Sequence, residues 1–263
     1  MLRDWPAFER LAKAFAEGDV CLRVAGLTGA ARPLVVAELL QAHPRPALVV
    51  VRTLADAHRW TQDLRFFGAA AHEFPEREPR LWRGGHHREA DAERAVIARR
   101  LQAAEPVVVV ATPAALDTPL PAPAEFREAT VRVTAGDRLD RELLLEALTR
   151  AGYERVDTVV EVGQWSVRGG ILDVFSPAHA TPARLEFFGD DVESIRLFDP
   201  TSQRSVQGLD ELLLLPLAAP ADDGGARLLD FVPPTAPVVL DAPGLLGETS
   251  EEAPGRRPLR ELV

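Results

Sequence analysis

Four short runs in this chain are apolar at nearly every position: Val20 to Val24, Ala47 to Val51, Pro106 to Ala111 and Pro237 to Asp241. Unbroken apolar runs rich in valine fit strands buried on both faces, as in a parallel sheet. Helix-period segments lie between them. Pro33 to Gln41 carries Leu34, Val35, Ala37, Leu39 and Leu40, and Leu54 to Phe67 carries Leu54, Ala57, Trp60, Leu64 and Phe67. Glu89 to Ala104 carries Ala92, Ala95, Val96, Ala98 and Leu101. Alternation of strand and helix predicts an α/β domain over 1–125.

The pattern then changes. Pro113, Pro119, Pro121 and Pro123 mark a linker. After it, Val131 and Val133 indicate a strand, followed by a helix with Asp140 as N-cap, an apolar stripe of Leu143, Leu144, Ala147 and Leu148, and Gly152 as its stop. Segments with strand character follow at Val156 to Val162, Gln164 to Arg168, Ile171 to Phe175, Arg184 to Phe188 and Val192 to Phe198. Gly169-Gly170 and Gly189-Asp190-Asp191 supply turns. This predicts an antiparallel α+β module over 126–210, inserted in the parallel-sheet domain. That domain resumes over 211–246 and leaves 247–263 as a flexible tail.

Composition narrows the function classes. The chain has 263 residues, 46% of them hydrophobic, and a formal charge of −10 from 30 basic and 40 acidic side chains. That balance opposes a broad electrostatic grip on nucleic acid. Lys13 is the only lysine, and Cys21 the only cysteine, which excludes an internal disulfide and a cysteine-based zinc site. No apolar run reaches the ~18 residues of a membrane span, and the first residues carry charge where a secretory leader is apolar, so a cytoplasmic location is expected.

One segment has the outline of a phosphate loop. Val24 to Pro33 follows the first strand and opens the first helix, with Gly26 and Gly29 in place. Where a working loop has Gly, Lys and Ser/Thr, this chain has Ala31, Arg32 and Pro33; Pro33 has neither hydroxyl nor N–H. After the last strand, Asp241-Ala242 stands where an Asp-Glu pair would hold metal and water. A degenerate nucleotide site is the expectation, with no catalytic residue, metal or cofactor. A weak ATPase using Arg32 and Asp241 is the enzyme alternative.

Longer blocks carry a family resemblance. Arg52-Thr53-Leu54-Ala55 and Asp63 to Phe67 resemble the segment after the second strand of the excision-repair helicase UvrB. Arg168 to Pro177, Arg184 to Arg196, Phe198-Asp199-Pro200 and Gln203-Arg204-Ser205 resemble the UvrB-homology region of the bacterial transcription-repair coupling factor (Mfd). UvrB has an intact phosphate loop and a long aromatic hairpin that probes damaged DNA; here the corresponding interval is the short Phe74 to Arg88, with Phe74 and Trp82 as its aromatics. Both departures favour the coupling factor.

The resemblance implies a degenerate P-loop, helicase-like domain carrying a module that binds UvrA. In the longer family proteins, RNA polymerase and DNA are engaged by other domains, and contact with C-terminal domains can mask this module. The chain is therefore expected to be a fragment, an incomplete gene product or a free-standing relative. The contacts to UvrA implied by the resemblance are Arg168, Arg184 and Phe188, with Glu186 and Arg196 secondary. Strand periodicity agrees, because Leu185 and Phe187 share one face while Arg184, Glu186 and Phe188 share the other. The expected result is that Arg184→Glu or Phe188→Ala abolishes UvrA capture with the fold retained. A UvrB-like DNA-binding module is the remaining alternative.

Other features carry less. His86-His87 with Glu89 and Asp91 read as an exposed loop, Asp190-Asp191 with Glu193 as a solvated turn, and Arg94, Arg99 and Arg100 as a mixed helix surface.

Overall fold

The fold rests on which apolar runs are long enough to be buried along their whole length. In the computed structural model, which describes residues 2, 5–17, 22–76, 86–217, 225–241 and 260–262, two compact units form. One comprises 1–76, 100–117 and 231–263, and the other 77–99 and 118–230. Cys21, Trp82 and most of the tail lie outside the described residues.

The first unit begins with α1 (Pro6–Ala16), β1 (Leu22–Val24), α2 (Ala31–Ala42), β2 (Ala47–Val50), α3 (Leu54–Phe66) and β3 (Ala71–Glu73). Helix α4 (His86–Gln102) starts in the second unit and ends in the first, ahead of β4 (Val108–Ala111) and α5 (Pro113–Leu116). Much later come β13 (Val238–Leu240) and β14 (Arg260–Leu262). Strands β13, β2, β4 and β3 form, in that order, an all-parallel sheet. Both β2 and β4 are buried at every position, as their valine runs require. Around Val49 and Val110 pack Val36, Leu40, Trp60 and Leu64. Thr53 caps α3, accepting the Asp56 N–H at 3.1 Å.

Three expectations change in this unit. Strand β1 is not in the parallel sheet but pairs with β14, so the tail contributes backbone structure at 260–262. Arg23 interrupts the apolar run and Val24 is exposed, so β1 lacks the two-sided burial of β2 and β4. Strand β3 has no valine run, and periodicity missed it. Finally, Pro113 is not a linker residue, and neither is Pro123 of the second unit. Each sits in the first turn of a helix, where its missing N–H costs nothing.

The second unit contains α6 (Pro123–Ala129), β5 (Val131–Thr134), α7 (Arg141–Arg150), β6 (Glu154–Arg155), β7 (Gln164–Arg168) and β8 (Ile171–Val174). It continues with β9 (Ala183–Phe188), β10 (Asp191–Phe198), β11 (Ser205–Gly208), β12 (Glu211–Leu214) and α8 (Leu228–Phe231), whose last residue falls in the first unit. A six-stranded sheet runs in the order β11-β10-β9-β8-β7-β6, antiparallel except for the β6–β7 pair. Asp140 caps α7 as expected, accepting the N–H groups of Glu142 and Leu143 at 2.9 and 3.2 Å. Gly152, with φ 88°, ends it.

The stretch 156–162 is not a strand. Gln164 Oε1 accepts the N–H groups of both Val160 and Glu161 at 2.9 Å, so side-chain bonding replaces a ladder. Strand β12 pairs with β5, from Glu211↔Thr134 to Leu214↔Val131. The segment 211–214 therefore belongs with this unit, and the chain rejoins the first near Phe231. His86 to Asp91 opens α4 instead of forming a loop, and the Arg94 side chain is buried and bonded to Asp91 at 3.2 Å.

Two histidines give a pH dependence. Burial holds the His179 imidazole below its ordinary value, and its Nε2 accepts the Leu213 N–H at 3.3 Å. Burial, then Arg100 and Arg65, do the same to His72, whose Nε2 faces Arg100 Nη1 at 2.8 Å. Folding therefore favours the neutral form of both rings, whereas the unfolded chain takes up these protons near pH ~6.5. Their contribution is complete above that range and is lost as the pH falls through it toward the lower folded values. Urea denaturation should show a lower midpoint at about pH 5.5 than at about pH 7.5, with the difference reduced in His72→Gln and His179→Gln. An identical slope in these variants would refute the assignment.

Candidate functional site

Strand period and register together build one outward face on the six-stranded sheet. Along β9, Ala183, Leu185 and Phe187 are buried, while Arg184 and Glu186 are half-buried and Phe188 is exposed. Register sets the neighbours. One row crosses the strands as Ser166, Asp173, Arg184, Arg196 and Gly208, and the next as Arg168, Ile171, Glu186 and Ser194. Five of the expected residues, Arg168, Arg184, Glu186, Phe188 and Arg196, therefore share this face.

Asp173 organises it. This carboxylate is 1% exposed and accepts from Arg184 Nε at 2.6 Å, Arg184 Nη2 at 2.9 Å and Arg168 Nη2 at 3.0 Å. A buried carboxylate needs such compensation, and the paired geometry of guanidinium supplies it. Arg184 is held further by the Gln203 carbonyl at 3.3 Å and by the Phe198 ring, with its guanidinium carbon 4.6 Å from the ring centroid. Its side chain is only 17% exposed, against 57% for Arg168. The bond to Asp173 raises the Arg184 pKa despite some burial, so the group is a permanent cation.

The rest of the face is more open. Phe188 ends β9 at 74% exposure while its neighbour Phe187 is buried. Such a ring gains nothing from folding in that position. Glu186 accepts the Ser194 hydroxyl at 2.7 Å and pairs with Arg196 at 3.4 Å. Arg184 and Arg196 face each other directly across β9 and β10. Like charges in that register would repel, and the two carboxylates, Asp173 for one and Glu186 for the other, offset this. At the turn leading into the face, Gly170 is required by close approach, since a Cβ there would lie 2.6 Å from the Phe187 carbonyl oxygen.

Sequence reasoning did not single out Asp173, Phe198 or Gln203. A lone carboxylate between Leu172 and Val174 was the available sign of a buried ion pair. Gln203 had none, because its role is backbone geometry: it adopts φ 59° and anchors its amide on the Val159 and Pro200 carbonyls at 3.2 and 2.8 Å.

In the first unit, the loop expected from sequence to be a degenerate nucleotide site is closed on itself. Gly26 and Gly29 turn the loop at φ 81° and 52°. The N–H groups of Ala31 and Arg32, which an anion would need, donate to Thr28 and Gly29 carbonyls at 3.2 and 3.3 Å. Arg32 Nη1 lies 2.9 Å from Asp241 Oδ1, so these two charged groups satisfy each other. Pro33 is buried in α2 without a donor. Mg-ATP at about 1 mM is therefore expected to leave the melting temperature unchanged, whereas ligand at 100 times its Kd would add ~2.7 kcal/mol. A rise that disappears in Arg32→Ala would favour the enzyme reading.

Comparison with known proteins places this face in a recognised domain. The family model described as the UvrB interaction domain matches residues 131–219. A transcription-repair-coupling factor of Myxococcus xanthus is 39% identical over 206 residues, covering 74% of this chain and 17% of the relative. That of Bacillus subtilis is 28% identical over 218 residues, 80% and 18% respectively. The UvrABC system protein B of Thermus thermophilus is 29% identical over 232 residues, covering 80% of this chain and 34% of that protein. The chain thus spans less than a fifth of the coupling factors it matches. No helix among the described residues is long and apolar enough to cross a membrane. On these matches the chain carries a UvrB interaction domain at residues 131–219 and corresponds to the UvrB-homology region of the transcription-repair-coupling factors.

Proposed function

We propose that this chain is a protein-binding module that recruits UvrA through the outward face of the six-stranded sheet. The observation that carries the reading is Phe188, a large ring left 74% exposed on the strand that also bears Arg184, inside the matched domain. Aromatic and arginine anchors dominate protein interfaces, whereas an exposed ring of this size has no role in the fold. Phe188 and Arg168 make the direct contacts. Arg184, tied to Asp173, holds the face in shape and adds its charge, and Glu186 with Arg196 forms the rim. The partner surface is apolar at its centre and acidic around it.

Masking of such a surface would require contacts from other parts of the longer proteins. RNA polymerase and DNA would be engaged by those other parts. Titration calorimetry of the purified chain against UvrA is expected to give saturable binding with no nucleotide or DNA added. An absence of heat from a sample with a cooperative melt overturns the proposal.

A further inference from the structure

The loop that replaces a strand over 156–162 is held against the outward face beside Asp173 and Arg184. We propose that this loop is a second arm of the docking surface, opposite in charge to the arginines, and that its Val160 and Glu161 contact a basic stretch of UvrA. This rests on the docking function proposed above and adds the residues and the charge by which the same partner is held.

The first support is position. Ser166 stands on the outward row with Asp173 and Arg184, and its hydroxyl donates to the Asp157 carbonyl at 3.1 Å. The loop therefore lies over that face. Gln203 ties it to the arginine: its Nε2 donates to the Val159 carbonyl at 3.2 Å, while its own carbonyl accepts from Arg184 Nη1 at 3.3 Å.

The second support is rigidity. Besides those two bonds, the Gln164 side chain accepts the Val160 and Glu161 N–H groups, both at 2.9 Å. Gln164 and Ser166 are themselves buried. A loop pinned by side chains at Asp157, Val159, Val160 and Glu161 meets a partner with little ordering cost.

The third support is what the loop presents. Val159 is fully buried, whereas Val160 is 48% exposed. Asp157 and Glu161 on either side are exposed, and neither is in an ion pair among the described residues. The strands alongside carry Arg168, Arg184 and Arg196. The surface is thus dipolar, and complementarity asks the partner to turn from acidic to basic across it. Size agrees, because the loop meets the face at the row of Arg184, and Phe188 lies four residues further along β9, ~13 Å at ~3.3 Å per residue. An interface taking about 800 Å² from each partner spans both.

Val160→Asp and Glu161→Arg change exposed side chains and leave the pinning bonds in place. Calorimetry against UvrA is expected to show each binding roughly tenfold more weakly than the parent chain, with unchanged melts. Gln203→Gly keeps the left-handed backbone that Gln203 adopts at φ 59° and removes only the side-chain tie to the loop. It is also expected to weaken binding, and its combination with Val160→Asp to bind no more weakly than Val160→Asp alone, since holding a loop that has lost its contact gains nothing. Fully additive losses would overturn the role of Gln203 as the residue that positions the loop. If Val160→Asp and Glu161→Arg both bind as the parent does while Phe188→Ala does not bind, docking on the strands stands and the second arm is overturned. If the parent chain does not bind UvrA, the docking function fails and the arm with it.

Discussion

Phe188→Ala is expected to bind UvrA about 30-fold more weakly than the parent chain, or worse, from the ~2 kcal/mol or more that truncating an interface anchor costs. The melting temperature should hardly move. Phe188 ends β9 with three quarters of its surface in water, so alanine there removes little buried area, and exposed substitutions of this kind stay within about 0.5 kcal/mol. The same change at Phe187, which is buried, would instead open a cavity costing ~3–5 kcal/mol. The pair thus separates binding from folding at adjacent positions. Retention of UvrA by Phe188→Ala in both a pull-down and calorimetry would remove this face as the docking site.

Arg184→Glu behaves differently, and here the structure changes the outcome expected from sequence. The guanidinium makes two of the three bonds that satisfy the buried Asp173 carboxylate. Removing it leaves that carboxylate with Arg168 alone and sets a second negative charge beside it. Breaking a buried pair in this way costs ~3–5 kcal/mol, a large part of the ~5–15 kcal/mol that holds a typical domain together. The variant is therefore expected to melt far below the parent chain, and its failure to capture UvrA would report unfolding. A melt unchanged from the parent would show that Asp173 does not depend on Arg184. The informative companion is Arg184→Met with Asp173→Leu, which replaces the pair by apolar groups and should recover most of the stability. Its UvrA affinity then measures what the Arg184 charge contributes to binding.

Much of this was legible in the chain itself. The valine runs at Ala47–Val50 and Val108–Ala111 are buried strands because nothing polar interrupts them. The period-2 pattern of Arg184 to Phe188 separated its two faces correctly because the strand is regular there. Where side chains replace ladder bonds, pattern reading failed. The stretch 156–162 looked like a strand, but the Val160 and Glu161 N–H groups bond to the Gln164 side chain. Strand β3 was invisible because its burial comes from pairing with β4 rather than from its own composition.

The sequence by itself determined the strand and helix periods, the missing hydroxyl and N–H of Pro33, and which residues of β9 face away from its core. These depend only on residues near one another along the chain. Only the tertiary structure decided that Arg32 closes on Asp241, that β12 belongs with β5, and that Arg184 is committed to Asp173 rather than free in solvent. Each of those depends on residues brought together by folding, and the charge of an arginine does not reveal whether a buried carboxylate already holds it.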